Sequence, residues 1–176
     1  CENLIFSPDN MADSSLATNA FGQTFNVTMV QMVAGFSSLI NGGNYYQPHV
    51  VKQILNSNGG VVENIDDTLI KQTVTAKTSD YIRHALWQTI EAGTGGTAKV
   101  PGYQMGGKTG TAQHLDKTEE SYLLSFLGFA PYDNPQVVCY VIVDAPQVPE
   151  PGSSSYACKL FSSIMGEALP YMNIFP

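Results

Sequence analysis

Two apolar runs, residues 122–129 and 137–143, constrain this chain more than anything else in it. Both are apolar at odd and even positions alike, so both faces of each strand should be buried. The link between them, residues 130–135, is too short for a crossover helix, so the two strands pair antiparallel. A sheet buried on both sides needs a covering layer on each, and three helical stripes are available. The first is Met29, Met32, Val33, Phe36 and Ile40, in a helix capped by Asn26 or Thr28 and ended by Gly42-Gly43. The second is Tyr81, Ile82, Ala85, Leu86, Thr89 and Ile90, capped by Thr78 and closed at Gly93, with Trp87 off the stripe. The third begins at residues 153–155 and turns Ala157, Leu160, Phe161, Ile164, Met165 and Ala168 inward before Pro170 ends it. Residues 49–55 and 61–65 flank Asn56-Ser57-Asn58-Gly59-Gly60, a hairpin signal, and a further extended piece lies around Thr73. Residues 1–25 read as polar and irregular. The expected class is α/β of the α+β type: one domain with an antiparallel sheet and helices on both faces.

At 13% charged residues the chain has about half the usual proportion, so the few charges are informative. Net charge is −7, with 8 Lys+Arg and no basic cluster, which argues against a nucleic-acid surface. No apolar run reaches the ~20 residues of a membrane helix, and no secretory signal assigns a compartment. Cys1, Cys139 and Cys158 lack metal spacing, and Cys139 and Cys158 read as buried free thiols. A start in mid-protein suits Cys1 better than a processed lipoprotein does. His49, His84 and His114 share no ligand spacing either and read as surface residues. No cofactor is expected.

The chemistry concentrates in Gly106-Gly107-Lys108-Thr109-Gly110-Thr111-Ala112-Gln113. As an extended strand, this stretch puts Thr109 and Thr111 on one face, roughly 6–7 Å apart. Two hydroxyls at that separation with an ammonium beside them can hold a carboxylate. The glycines leave the backbone open to an extended peptide docking as an added strand. The letters from Gly102 to Thr109 also satisfy the phosphate-loop pattern G-x-x-x-x-G-K-[ST]. That reading needs a buried strand before the loop and a helix opening at Lys108-Thr109. A Gly- and Pro-bearing stretch precedes it and Gly110 follows at once, so a nucleotide hydrolase is rejected on context.

Several blocks in order resemble a class B penicillin-binding protein. They are Phe21-Gly22-Gln23, Val27-Thr28 with Gln31, Asn41-Gly42-Gly43 with Pro48, and Gly93-Thr94-Gly95. Gly107-Lys108-Thr109-Gly110-Thr111-Ala112 and Ser125-Phe126-Leu127-Gly128-Phe129-Ala130-Pro131 complete the set. The resemblance implies a β-lactamase/transpeptidase-like fold and a D,D-transpeptidase that cross-links peptidoglycan through an acyl-serine, which β-lactams trap. It implies that Lys108 anchors the substrate's terminal carboxylate and tunes a neighbouring serine. Thr109, Gly110 and Thr111 would complete the substrate-binding strand, and the Thr111 N–H would be an oxyanion donor. Lys108 and Thr111 are thus the catalytic candidates.

The family's Ser-x-x-Lys and Ser-x-Asn motifs, which precede Lys-Thr-Gly, do not occur in these residues. Tyr132-Asp133-Asn134 imitates a Tyr-x-Asn variant but follows Lys108, in a turn. The expectation is therefore that residues 1–176 form the C-terminal portion of a transpeptidase domain, incomplete and inactive without its nucleophile. Expected partners are the peptidoglycan stem peptide, β-lactams, the upstream half of the same domain, and a second copy pairing at an exposed edge beside residues 137–143. The resemblance also implies a parent with an N-terminal membrane helix and this region on the extracytoplasmic face. Two alternatives stand beside it: a pseudo-enzyme that holds peptide carboxylates without cutting, and a serine β-lactamase-like hydrolase.

Overall fold

The computed structural model describes residues 7, 9, 11–23, 25–113 and 121–176. In chain order the elements are α1 (Asp13–Asn19), α2 (Met29–Ile40), β1 (Asn44–Tyr46), β2 (Gln53–Leu55), β3 (Val61–Asn64), β4 (Leu69–Gln72) and α3 (Ala76–Glu91). A short 3-10 turn at Gly96–Ala98 leads to β5 (Gly106–Gln113), β6 (Tyr122–Ala130), β7 (Val137–Asp144) and α4 (Ser155–Tyr171).

The two apolar runs become β6 and β7, antiparallel as expected, with Phe126 opposite Val141 and Leu127 opposite Tyr140. β5 pairs with the other side of β6, so the sheet order is β5-β6-β7 with β6 in the centre. Alternation sends neighbouring β6 side chains to opposite layers. Leu124 and Phe126 join Phe161, Met165 and Leu169 of α4, whereas Leu127 and Phe129 join Phe36 and Ile40 of α2. Ring contacts close both layers, with centroids 4.7 Å apart for Phe126–Phe161 and 6.1 Å for Phe36–Phe129. A fully buried side chain of this size contributes about 1.5–3 kcal/mol, so these rings are the main attachment of sheet to helices.

Local chemistry sets the helix starts. Thr28 and Gln31 form a capping box, the Thr28 hydroxyl accepting from the Gln31 N–H and the Gln31 side chain accepting from the Thr28 N–H. α3 is capped by Thr75, not Thr78: the Thr75 hydroxyl accepts the Thr78 N–H at 3.2 Å, which adds a turn before the apolar stripe begins. Five expected stripe residues face outward, Ala85 of α3 and Met29 of α2 among them. Tyr81 is 75% exposed, and on α4 Leu160 and Ile164 are exposed while Cys158 and Leu169 are buried. A helix on a flat sheet buries a narrower arc than the stripe counted from sequence. Met29 is half exposed as well. α4 continues through Pro170 to Tyr171, because a proline in the last turn removes one bond and the Met172 N–H closes the end on the Ala168 carbonyl.

Two further elements correct the reading of the first half. Residues 1–25 are not wholly irregular, since α1 forms with Asp13 in its first turn, although it buries nothing. The extended piece near Thr73 is β4, and it pairs antiparallel with β1, a strand the sequence did not announce. The β2–β3 hairpin is present and shorter than expected, with Asn56 Oδ1 accepting the N–H groups of Asn58 and Gly60 at 2.9 Å each.

A buried polar cluster ties the end of α2 to the start of α3. The Gly42 N–H donates to the Ser79 hydroxyl at 3.0 Å, and the Thr73 hydroxyl donates to Ser38 at 3.0 Å. Trp87 stacks between His84 and Tyr132, with 5.5 Å between centroids on each side. Cys158 is buried and Cys139 half-buried, both free thiols as expected. Cys1, His114 and most of the expected turn after β5 lie outside the described residues.

Candidate active site

Among the described residues β5 has one strand neighbour, and its other edge is unpaired by strands. Directly opposed residues of an antiparallel pair share a face. Thr109 and Thr111 lie opposite Phe126 and Leu124, on the face that α4 covers, and Lys108 lies opposite Leu127, on the α2 face. The two hydroxyls therefore share a face as expected, and the ammonium starts from the other one. It reaches back to the strand itself, Lys108 Nζ donating to the Thr109 carbonyl at 2.8 Å. Lys108 forms no ion pair among the described residues, unlike Lys99 with Glu91 at 2.5 Å and Arg83 with Asp80. Its charge remains available to an incoming anion.

Exposure grades along the strand. Gly106 and Gly107 are buried, Thr109 and Gly110 half-buried, and Lys108, Thr111 and Gln113 exposed. Glycine at position 107 is demanded by packing: a Cβ there would lie 2.5 Å from the Phe126 ring and 3.0 Å from the Leu127 carbonyl oxygen. That closeness draws β5 tightly onto β6 and fixes where the two threonines stand. One neighbour of the site comes from the loop at residues 93–96, which the sequence leaves open as a plain connector or a rim of the site. Thr94, in the loop after α3, places its Oγ1 3.1 Å from Thr109 Oγ1. The glycines on either side fit a connector equally well, and the Gly93-Thr94-Gly95 block of the resemblance assigns the threonine no role of its own.

Chemically, the strand offers one ammonium and two hydroxyls to an acceptor ligand. In an antiparallel sheet, part of an edge strand's N–H groups face away from its neighbour. An extended peptide ending in a carboxylate is the matching shape. Nothing suits a metal: no cluster of three His, Cys, Asp or Glu occurs among the described residues. Tyr132-Asp133-Asn134 is engaged with α3, the Asp133 carbonyl accepting from Arg83 at 2.9 Å. A cavity of about 710 Å³ lies elsewhere, between α2 and residues 44–50, with Tyr140 and Asp67 on its wall. No β5 residue lines it, so the open edge and not the cavity is the candidate site. The antiparallel sheet also removes the nucleotide-hydrolase reading at the level of fold.

Residues 5–166 match the family model described as the penicillin binding protein transpeptidase domain. The chain belongs to the penicillin-binding protein transpeptidase family. Stage V sporulation protein D of Bacillus subtilis (strain 168) is 36% identical over 177 residues, covering 98% of this chain and 27% of that relative. Penicillin-binding protein PbpB of Mycobacterium tuberculosis is 32% identical over 178 residues, covering 94% of the chain and 26% of its own length. The chain thus spans about a quarter of the curated relatives it matches. The crystal structure of penicillin binding protein 3 from Mycobacterium tuberculosis in its apo form superimposes with TM-score 0.85 at 31% identity, over 98% of this chain and 41% of that one. The same protein complexed with aztreonam superimposes at 0.86. The penicillin-binding transpeptidase fold expected from the sequence is therefore the fold observed.

Proposed function

We propose that this chain supplies the carboxylate- and oxyanion-binding strand of a serine D,D-transpeptidase that cross-links peptidoglycan and is inhibited by β-lactams. The carrying observation is the position of Lys108, Thr109 and Thr111 on an edge strand, with the ammonium bonded, among the described residues, to a backbone carbonyl alone. In this reading Lys108 and the hydroxyls of Thr109 and Thr111 bind the terminal carboxylate of a D-alanyl peptide. The Thr111 N–H receives the oxyanion as a serine oxygen bonds to the penultimate carbonyl carbon and terminal D-alanine leaves. An amine of a second stem peptide then displaces the serine. Gly110 keeps the strand bare where the peptide backbone lies.

The serine comes from outside residues 1–176, because no Ser-x-x-Lys occurs within them. An upstream half of the same transpeptidase domain is the natural source, and the machinery works on the extracytoplasmic face of a membrane, where the wall is built. The β7 edge, paired only with β6 among the described residues, is where that half or a second copy adds a strand. A sedimentation mass that stays monomeric at every concentration would remove the second copy.

The test is intact-mass spectrometry after incubation with benzylpenicillin. The chain itself gains no penicilloyl mass. A longer polypeptide carrying it gains one, on a serine outside these residues, more slowly when Lys108 is replaced by alanine. An adduct on the chain itself refutes the missing nucleophile. No adduct on the longer polypeptide refutes the transpeptidase and leaves a binding module that holds peptide acids without cutting them.

A further inference from the structure

Thr94 and Thr109 are brought together by one buried ring. Phe126 is the cross-strand partner of Thr109, and it also abuts the loop that carries Thr94. Gly95 is buried so closely there that a Cβ would lie 3.2 Å from the Phe126 ring and 3.2 Å from the Thr89 carbonyl oxygen. The Gly95 N–H donates to that carbonyl at 2.9 Å, and the Ala98 N–H donates to Gly95 at 2.8 Å. Before the threonine, the Ala92 N–H donates to the Gln88 carbonyl at 2.9 Å. The loop is therefore pinned on both sides of its exposed threonine, and the 3.1 Å separation of the two hydroxyls follows from packing.

A hydroxyl has one proton to donate and two lone pairs to accept with. Of two bonded hydroxyls, one spends its proton on the other, and the second keeps its own. If Thr109 donates to Thr94, Thr109 has nothing left for an acceptor ligand. If Thr94 donates to Thr109, the Thr109 proton is free to point at the ligand. A carboxylate only accepts, so it selects the second arrangement.

We propose that Thr94 is a positioning residue of the carboxylate site, donating to Thr109 Oγ1 and so directing the Thr109 proton at the bound carboxylate. The inference rests on the carboxylate-binding reading of β5 and adds a residue to it. Thr94 acts through Thr109, so its loss should weaken acid ligands by the worth of one neutral hydrogen bond, roughly three- to tenfold. A ligand with a terminal carboxamide can itself donate to Thr109, and should be indifferent to the change.

The experiment is an amide-resolved NMR titration of the chain with N-acetyl-D-alanyl-D-alanine and with its C-terminal carboxamide. Wild type, Thr94→Val and Thr94→Ser are compared, with Thr94→Ala as a second hydroxyl deletion should valine perturb the spectrum beyond the loop and β5. The expected result is that wild type prefers the acid, both deletions lose roughly three- to tenfold for the acid alone, and serine restores it. Equal acid affinity in wild type and the deletions, or equal losses for acid and carboxamide, overturns the role of Thr94 and leaves the site standing. No preference for the acid in wild type overturns the carboxylate site, and the inference with it.

Discussion

Replacing Gly107 by alanine tests whether steric fit sets the position of the candidate strand. The new Cβ would lie 2.5 and 2.7 Å from two atoms of the Phe126 ring and 3.0 Å from the Leu127 carbonyl oxygen. Carbon atoms rest at about 3.5–4.0 Å, so the ring must retreat by roughly 1 Å. Phe161 blocks the retreat from behind, its ring centroid 4.7 Å from that of Phe126. Overpacking of this kind costs about 1–3 kcal/mol. Phe126→Leu alone should cost roughly 1–2 kcal/mol, below the 3–5 typical of Phe→Ala. It also removes the ring atoms the new methyl would strike. The double variant should therefore lose at least about 1 kcal/mol less than the sum of the singles, the Leu127 carbonyl contact keeping the rescue partial. Urea unfolding with unchanged m-values measures all three. Gly107→Ala within about 0.5 kcal/mol of wild type, or strictly additive costs, would refute the steric argument.

Three further outcomes are expected. His49 has its pKa raised above 6.5, first by the Val51 carbonyl it bonds and then by Asp67. Its stabilising effect is then complete below 6.5 and fades as pH rises through the folded value, so the Tm gap between wild type and His49→Ala should be larger at acid than at alkaline pH. A gap constant with pH would contradict this. Ser79→Ala removes a fully buried hydroxyl and leaves the half-buried Gly42 N–H without its acceptor, and should cost about 1–3 kcal/mol in chemical denaturation. Burial pushes the thiols of Cys139 and Cys158 up, so both should react slowly with iodoacetamide at mildly alkaline pH and rapidly once unfolded. Fast labelling of both in the native chain would be the contrary result.

The legible parts of this fold are those where a few residues decide alone. β6 and β7 need only their unbroken apolar composition and a short link, and α2 needs only its apolar stripe and the glycine pair that ends it, the fold choosing Thr28 over Asn26 as its cap. β1 escaped because three residues, Asn44-Tyr45-Tyr46, carry no alternation, and their partner strand begins more than twenty positions later. Thr75 and Thr78 cannot be told apart as the α3 cap in the sequence, both being threonine, and only the fold chooses Thr75. At the site, Thr109 and Thr111 could be paired by strand parity, a strictly local rule. Thr94 could not, because its approach depends on where Phe126 sits, a residue more than thirty positions further on.

An edge strand is ordinarily a hazard, since its unpaired backbone invites other chains to aggregate on it. The β5 edge presents Lys108, Thr111 and Gln113 to water, and neither a valine nor an isoleucine interrupts the strand. A lysine on an edge is a gatekeeper: it repels a second copy of itself and carries a hydration shell that a stray strand would have to strip. An anionic peptide end reverses that sign, turning the repellent group into the welcoming one. The selectivity of the strand thus begins with solubility, and the single cation that would admit a carboxylate also keeps the doorway from closing on its own kind.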